Sequence, residues 1–171
     1  MKKFLKVTSI ILLLLTVVFF SLGLIFPQIT YNTEVKINRP IAEVFRKYND
    51  PGTLNKWIPE MKSLEILEIK PGMVGTKMKM IIESEGQKME LFEEVVAFEE
   101  NKLISLSFDA GAMNKTDYVE FTSTGETTTI KGSYICKGSN LFYKSLFSLF
   151  KSQFQTIDQT YLNNFKAFVE G

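Results

Sequence analysis

The chain has 171 residues, 45% of them hydrophobic, with 20 basic and 19 acidic side chains, no histidine and one cysteine. That length supports one domain with a sizeable core, while the missing histidine removes His-based triads, most catalytic zinc sites and imidazole proton relays. A single thiol permits no internal disulfide and no thiolate metal cluster, and the near-neutral charge leaves nucleic acid binding without electrostatic support.

Residues 7–26, VTSIILLLLTVVFFSLGLIF, carry no charge. At 1.5 Å per residue, about 20 residues cross a hydrocarbon core of roughly 30 Å. Lys2, Lys3 and Lys6 precede the stretch and Pro27 ends it. A cleaved signal peptide has a shorter apolar region and a small-residue cleavage site. Ser21 and Gly23 mimic such a site, but cutting there leaves Leu24, Ile25 and Phe26 as an apolar stub. The favoured reading is a retained transmembrane anchor over residues 1–27, single-pass in a bacterial cell membrane. The basic N-terminus is then cytoplasmic and residues 28–171 lie outside. Setting the three lysines aside leaves 17 basic against 19 acidic residues, and no basic run.

QITYNTEVKIN alternates with period two, placing Ile29, Tyr31, Thr33, Val35 and Ile37 on one face of a strand. The period changes at NRPIAEVFRKYND. Pro40 suits a first helical turn, and Ile41, Val44, Phe45 and Tyr48 follow at helix-face spacing. Asp50-Pro51-Gly52 stops that helix, and TLNKWIPEM, with the only tryptophan, Trp57, forms a second short helix or loop. Six further strands are expected at about 64–70, 76–83, 87–99, 103–109, 116–122 and 127–137. Turns at Pro71-Gly72, Glu85-Gly86, Glu100-Asn101, 110–114 and Gly125-Glu126 separate them, a spacing that implies antiparallel hairpins. No glycine-rich phosphate loop follows any strand.

After Gly138 a helical period runs to about Phe168. One stripe is Leu146, Phe150, Phe154, Ile157, Tyr161, Phe165 and Phe168. A second apolar set, Leu141, Phe142, Phe147 and Leu149, is confined to the first half, and beyond Gln153 the off-stripe positions, Asp158 among them, are polar. Three partners can account for the second set: extra core beneath Trp57, a cavity wall, or the bilayer that the anchor keeps nearby.

The order strand, two helices, six strands, long helix resembles the START-like helix-grip superfamily (SRPBCC), in particular its polyketide cyclase/dehydrase-type members. Three stretches carry the resemblance: VKINRPIAEVF; YNDPGTLNKWIPEM, with Asp50, Trp57 and Pro59; and PGMVGTKMKM, with Gly75 opening a strand ahead of EEVVAFEENKLISLSF. It covers about Gln28 to Glu170. It implies an α+β fold in which a curved seven-stranded antiparallel sheet wraps a long C-terminal helix, with a cavity between them for lipids or other apolar molecules.

Strand parity and helix stripes nominate the lining of such a cavity. From the sheet come Met78, Met80, Met89, Leu106, Phe108, Phe121 and Tyr134; Trp57 joins them from the second helix, and Phe147, Phe150 and Phe154 from the last. Methionine is an adaptable pocket wall, and equally a filler of irregular core. The glutamates at 83, 85, 90, 93, 94, 99 and 100 read as a solvated outer face, because neighbours such as Glu93 and Glu94 point opposite ways. Cys136 reads as a small buried hydrophobe. No residue set calls for a catalytic assignment, a metal or a cofactor. The expected function is a membrane-anchored binding domain for a lipid or other small apolar ligand. The alternatives are a cyclase/dehydratase-like enzyme on an apolar substrate, for which Tyr118, Tyr134 or Tyr161 would polarise a carbonyl, and a filled-core protein-interaction module.

Overall fold

The alternating stretch forms β1 (Ile29–Ile37), with every odd residue buried and every even one exposed. One buried face demands a layer to pack on it. The computed structural model describes residues 1–84 and 86–171; Glu85, of the expected Glu85-Gly86 turn and of the glutamate set, lies outside them. Ahead of β1 runs α1 (Lys2–Ile25), long and apolar enough to cross a membrane. After it come α2 (Ile41–Tyr48), entered through Pro40, and a single 3-10 turn at Leu54–Lys56. The remaining strands are β2 (Met61–Glu68), β3 (Lys77–Ser84), β4 (Gln87–Glu99), β5 (Leu103–Asp109), β6 (Met113–Thr124) and β7 (Thr127–Gly138). Two helices close the chain, α3 (Leu141–Leu149) and α4 (Lys151–Glu170).

All neighbours in the sheet are antiparallel, in the order β1-β7-β6-β5-β4-β3-β2. Register shifts in β2 and between Val95 and Ala97 of β4 bend the sheet, as bulges do. This is the α+β helix-grip architecture expected from the order of elements. Two strands depart from their expected limits. β2 starts at Met61, because that side chain packs with Met80 and Leu91, and it ends before Lys70, whose N–H is taken by Thr76 Oγ1 at 3.0 Å. β6 starts at Met113, paired with Gly138, so the turn before it is tighter than 110–114.

The expected single C-terminal helix is two. They meet at Phe150 (φ −105°, ψ 16°), whose N–H is shared between Leu146 O and Phe147 O. No proline or glycine marks the bend. Phe147 and Phe154 pack across it edge to face, ring centres 5.3 Å apart.

The main core lies beneath α2 and the C-terminal half of α4. Val44, Phe45, Trp57, Ile104, Val119, Phe121, Ile130, Leu162 and Phe165 meet there. The stripe of α4 is rotated from the expected one. Asp158, Leu162, Phe165 and Val169 are buried, whereas Phe150 and Ile157 are about half exposed. The glutamines of α4 explain the rotation. Gln159 Nε2 donates to Glu34 O (3.0 Å) and Gln155 Nε2 to Asn32 O (3.0 Å), and Glu34 N–H donates to Gln159 Oε1 (3.2 Å). These bonds cover the free edge of β1 and draw α4 to that side of the sheet.

α3 turns away to pack on α1 and β7 rather than beneath Trp57. Gly23 is the buried residue of α1: a Cβ there would lie 2.5 Å from Ser145 Oγ and 2.8 Å from Leu141 O. The Phe19 and Phe142 rings meet at 5.6 Å.

Candidate functional site

Because α4 lies along β1, the far half of the concave face is only partly covered. The inner row runs in register from Ile66 through Met78, Glu93, Phe108 and Lys115 to Cys136. Ile66 is 46% exposed and Met89 50%, while Met78, Ile82, Leu106 and Phe108 are half-buried. The partly covered inner face of β3–β5, on the side of the sheet that α4 packs against, is therefore the candidate binding groove.

The nominated lining residues divide between groove and core. Met78, Met89, Leu106 and Phe108 lie along the groove; Met80 is buried at its floor with Met61 and Leu91. Tyr134 is buried with Ile29, Tyr31 and Cys136, with Phe147 and Phe154 packed against them. Trp57 and Phe121 belong to the main core. Trp57 meets Tyr48 and Phe165 at 5.2 Å each, and Phe121 meets Phe45 edge to face. Phe150 sits exposed at the helix bend. A recess of about 260 Å³ is bordered by Lys77, Phe92, Glu94, Ser107 and Asp109, of outward parity, and also by Met78 and Glu93, of inward parity, so it adjoins the candidate site through β3 and β4.

At the covered end of the groove lies an ionic cluster. Lys115 Nζ donates to Asp117 Oδ2 (3.1 Å) and to Asp158 Oδ1 (2.9 Å), and sits 4.7 Å from the centre of the Tyr134 ring. Tyr31 Oη donates to Asp158 Oδ2 at 2.6 Å and its ring stacks on Tyr134. Thr33 Oγ1 lies 3.1 Å from Tyr134 Oη, and Tyr31 Oη 3.5 Å from Cys136 Sγ. Glu93, opposite Phe108, is only 6% exposed. Glu93 Oε2 and Asp117 Oδ1 are buried with no hydrogen-bond partner among the described residues.

The electrostatics follow from this burial. Desolvation, reinforced by Asp117 and opposed by Lys115, pushes Glu93 up to about 7. Desolvation also raises Asp117 to about 6 against the pull of Lys115. Burial by itself would depress Lys115, but Asp117 and Asp158 outweigh it and hold the ammonium well above its ordinary value. Tyr31 and Tyr134 are raised chiefly by burial, and Cys136 by burial to about 11, so none of the three carries charge near neutrality. The arrangement is suited to binding a polar group in an apolar setting, and to proton exchange at Glu93.

Glu93 corrects the expectation of a solvated glutamate face. Glu94 does point out and is exposed, but Glu93 shares the inward parity of Leu91 and Val95. Lys115, Asp117 and Asp158 lie outside the lining that strand parity and helix stripes nominate, although the sequence carries a signal for them. Lys115 and Asp117 have the parity of Val119 and Phe121 in β6, and Asp158 stands four residues before Leu162 on α4.

Solved structures with this fold share little sequence with the chain. The Zhui aromatase/cyclase from Streptomyces sp. R1128 aligns with TM-score 0.71 at 12% identity, covering 84% of this chain and 94% of its own. The TTHA0849 protein from Thermus thermophilus aligns with TM-score 0.69 at 19% identity, covering 82% and 97%. The major latex-like protein 151 of Panax ginseng aligns with TM-score 0.66 at 16% identity, covering 85% and 99%. No curated protein sequence matches the chain. Residues 28–167, the whole sheet and nearly all of α4, match the family described as polyketide cyclase / dehydrase and lipid transport, and the chain belongs to that family.

Proposed function

We propose that the protein is a membrane-anchored binding domain for a lipid or other small apolar ligand, held in the groove between the sheet and α4. The observation that carries this reading is the half-covered apolar floor. Met78, Ile82, Leu106 and Phe108 share the inward parity yet stay only half-buried, Leu106 against the main core and Ile82 beside Met80, in a family whose description includes lipid transport. Flexible thioethers at Met78 and Met89 suit a surface that adapts to its occupant.

The pairing of α1 with α3 supports the anchor. α3 meets α1 at Phe19 and Gly23. Counted back from Phe26, these lie roughly 10 Å and 4 Å inside the apolar stretch. Leu141, Phe142, Leu149 and Phe150, exposed in the isolated chain, would then face the outer leaflet. The test is the intact mass of the full chain, extracted in mild detergent, before and after denaturation. A reproducible bound mass released on denaturation supports the reading; a chain that never carries or takes up lipid sinks it.

One observation favours a second reading, an enzyme acting on an apolar substrate. A buried carboxyl pushed up to about 7 by desolvation, as at Glu93, is suited to general acid–base work, and a structural neighbour is an aromatase/cyclase. Turnover unaffected by Glu93→Gln would remove it.

A further inference from the structure

Resting on the groove reading, we propose that the ligand carries a protonated amine head, seated against Glu93 and Asp117, with its apolar tail along Met78, Leu106 and Phe108. The hydrogen-bond inventory points to this class. Lys115 has two carboxylate partners, and both oxygens of Asp158 have donors, Lys115 and Tyr31. Within the cluster, and among the described residues, Glu93 Oε2 and Asp117 Oδ1 remain unpartnered; elsewhere Glu60 Oε2 and Trp57 Nε1 do. Glu93 is buried to within 6% of its surface, and a carboxylate oxygen buried without a donor is costly. The missing complement is a donor, and for two acceptors on separate strands a donor with more than one N–H.

The charge balance points the same way. Fully ionised, the cluster holds three carboxylates and one ammonium, leaving an acidic excess among apolar walls. The facing elements do not offset it. β1 contributes Tyr31, β7 Tyr134 and Cys136, and α2 Tyr48, all raised chiefly by burial and neutral near pH 7. α4 adds Asp158 and Tyr161, the latter beside Glu60, another carboxylate with a buried unpartnered oxygen. β3 and β5 present Met78, Met80, Leu106 and Phe108, with no charge. Lys77 and Lys79 have outward parity, and Lys79 lies 3.6 Å from Glu90. An anionic head would meet this excess directly, a hydroxyl head would supply one donor, and an ammonium supplies both charge and donors.

The groove lies beside the cluster in register. Glu93 is flanked by Met78 on β3 and Phe108 on β5, both half-buried, so a head at Glu93 has an apolar surface on each side for its tail. Ionisation of Glu93 near neutrality makes the site responsive: binding of the ammonium should strengthen as pH rises through about 7.

The test is competition by native mass spectrometry. The full chain in mild detergent is offered equimolar decylamine, decanol and decanoate. The expected result is retention of the amine over the carboxylate by about tenfold or more. Glu93→Gln, and independently Asp117→Asn, should abolish that preference, while Glu94→Gln on the outer face keeps it. Equal retention of all three, preference for decanoate, or a preference unchanged in both inner variants overturns the amine head and leaves the groove reading standing. Retention of none of the three overturns both.

Discussion

Lys115 on β6 and Asp158 on α4 form an ion pair of 2.9 Å inside the grip, joining the middle of the sheet to the helix that lies along its edge. Asp117 holds the same ammonium at 3.1 Å. The three charges therefore depend on one another. Lys115→Met should destabilise the protein by about 3–5 kcal/mol, because it strands two buried carboxylates. Lys115→Met combined with Asp158→Asn should recover part of the loss. Denaturant unfolding of the full chain, single against double variant, measures the coupling; strict additivity would contradict it.

Glu93 makes stability fall with rising pH. Its folded value, about 7, lies above its ordinary 4.5, so between these values the native state binds more protons than the unfolded one. The destabilisation is absent below 4.5 and complete above about 7, at most about 3 kcal/mol. Asp117, raised from 3.8 to about 6, acts with the same sign at lower pH. Glu93→Gln should raise the melting temperature at about pH 8 and change it little at about pH 5. Melting curves of the ligand-free full chain at the two pH values check the sign.

Core and groove should respond differently to truncation. Phe121 is 2% exposed and wedged against Phe45 and Tyr48, so Phe121→Ala should cost about 3–5 kcal/mol. Met89, 50% exposed, should tolerate Ala within about 0.5–1 kcal/mol. Urea midpoints of the two variants make the comparison. A large loss at Met89 would mean that the groove is closed in solution.

Cys136 should be inert in the folded protein. Its thiol is fully buried and pushed up to about 11, so thiolate is scarce at neutral pH. Alkylation followed by mass should show no adduct in the native chain and a full one after denaturation.

Gly23 tests the helix pair. Any side chain there must displace Ser145 or the Leu141 carbonyl. Gly23→Leu should speed hydrogen exchange in α3 and leave β3–β5 unchanged. Unaltered exchange in α3 would show that the two helices do not pack through this point.

The order of elements was legible because each element repeats a local rule. Period two along 29–37, proline ahead of Ile41, and turns between strands need only near neighbours to be satisfied. From those rules, with the resemblance they support, came the seven-stranded sheet, the terminal helix and the inward parity of Met78, Leu106 and Phe108. The apolar run of α1 was equally plain. The bend at Phe150 was not, because no breaker residue stands there; α3 swings toward Gly23 while α4 is held by β1. The division of the nominated residues into core and groove also waited for the tertiary structure, since Trp57 and Met89 differ in what covers them rather than in any local pattern. The ionic cluster lay furthest from view. Its members come from β4, β6 and α4, separated in sequence by up to 65 residues between Glu93 and Asp158. Each looks like an ordinary surface charge until folding brings them together. Charge in a strand reads as solvent-facing unless parity and a partner across the fold turn it inward, and the partner is supplied only by the tertiary structure.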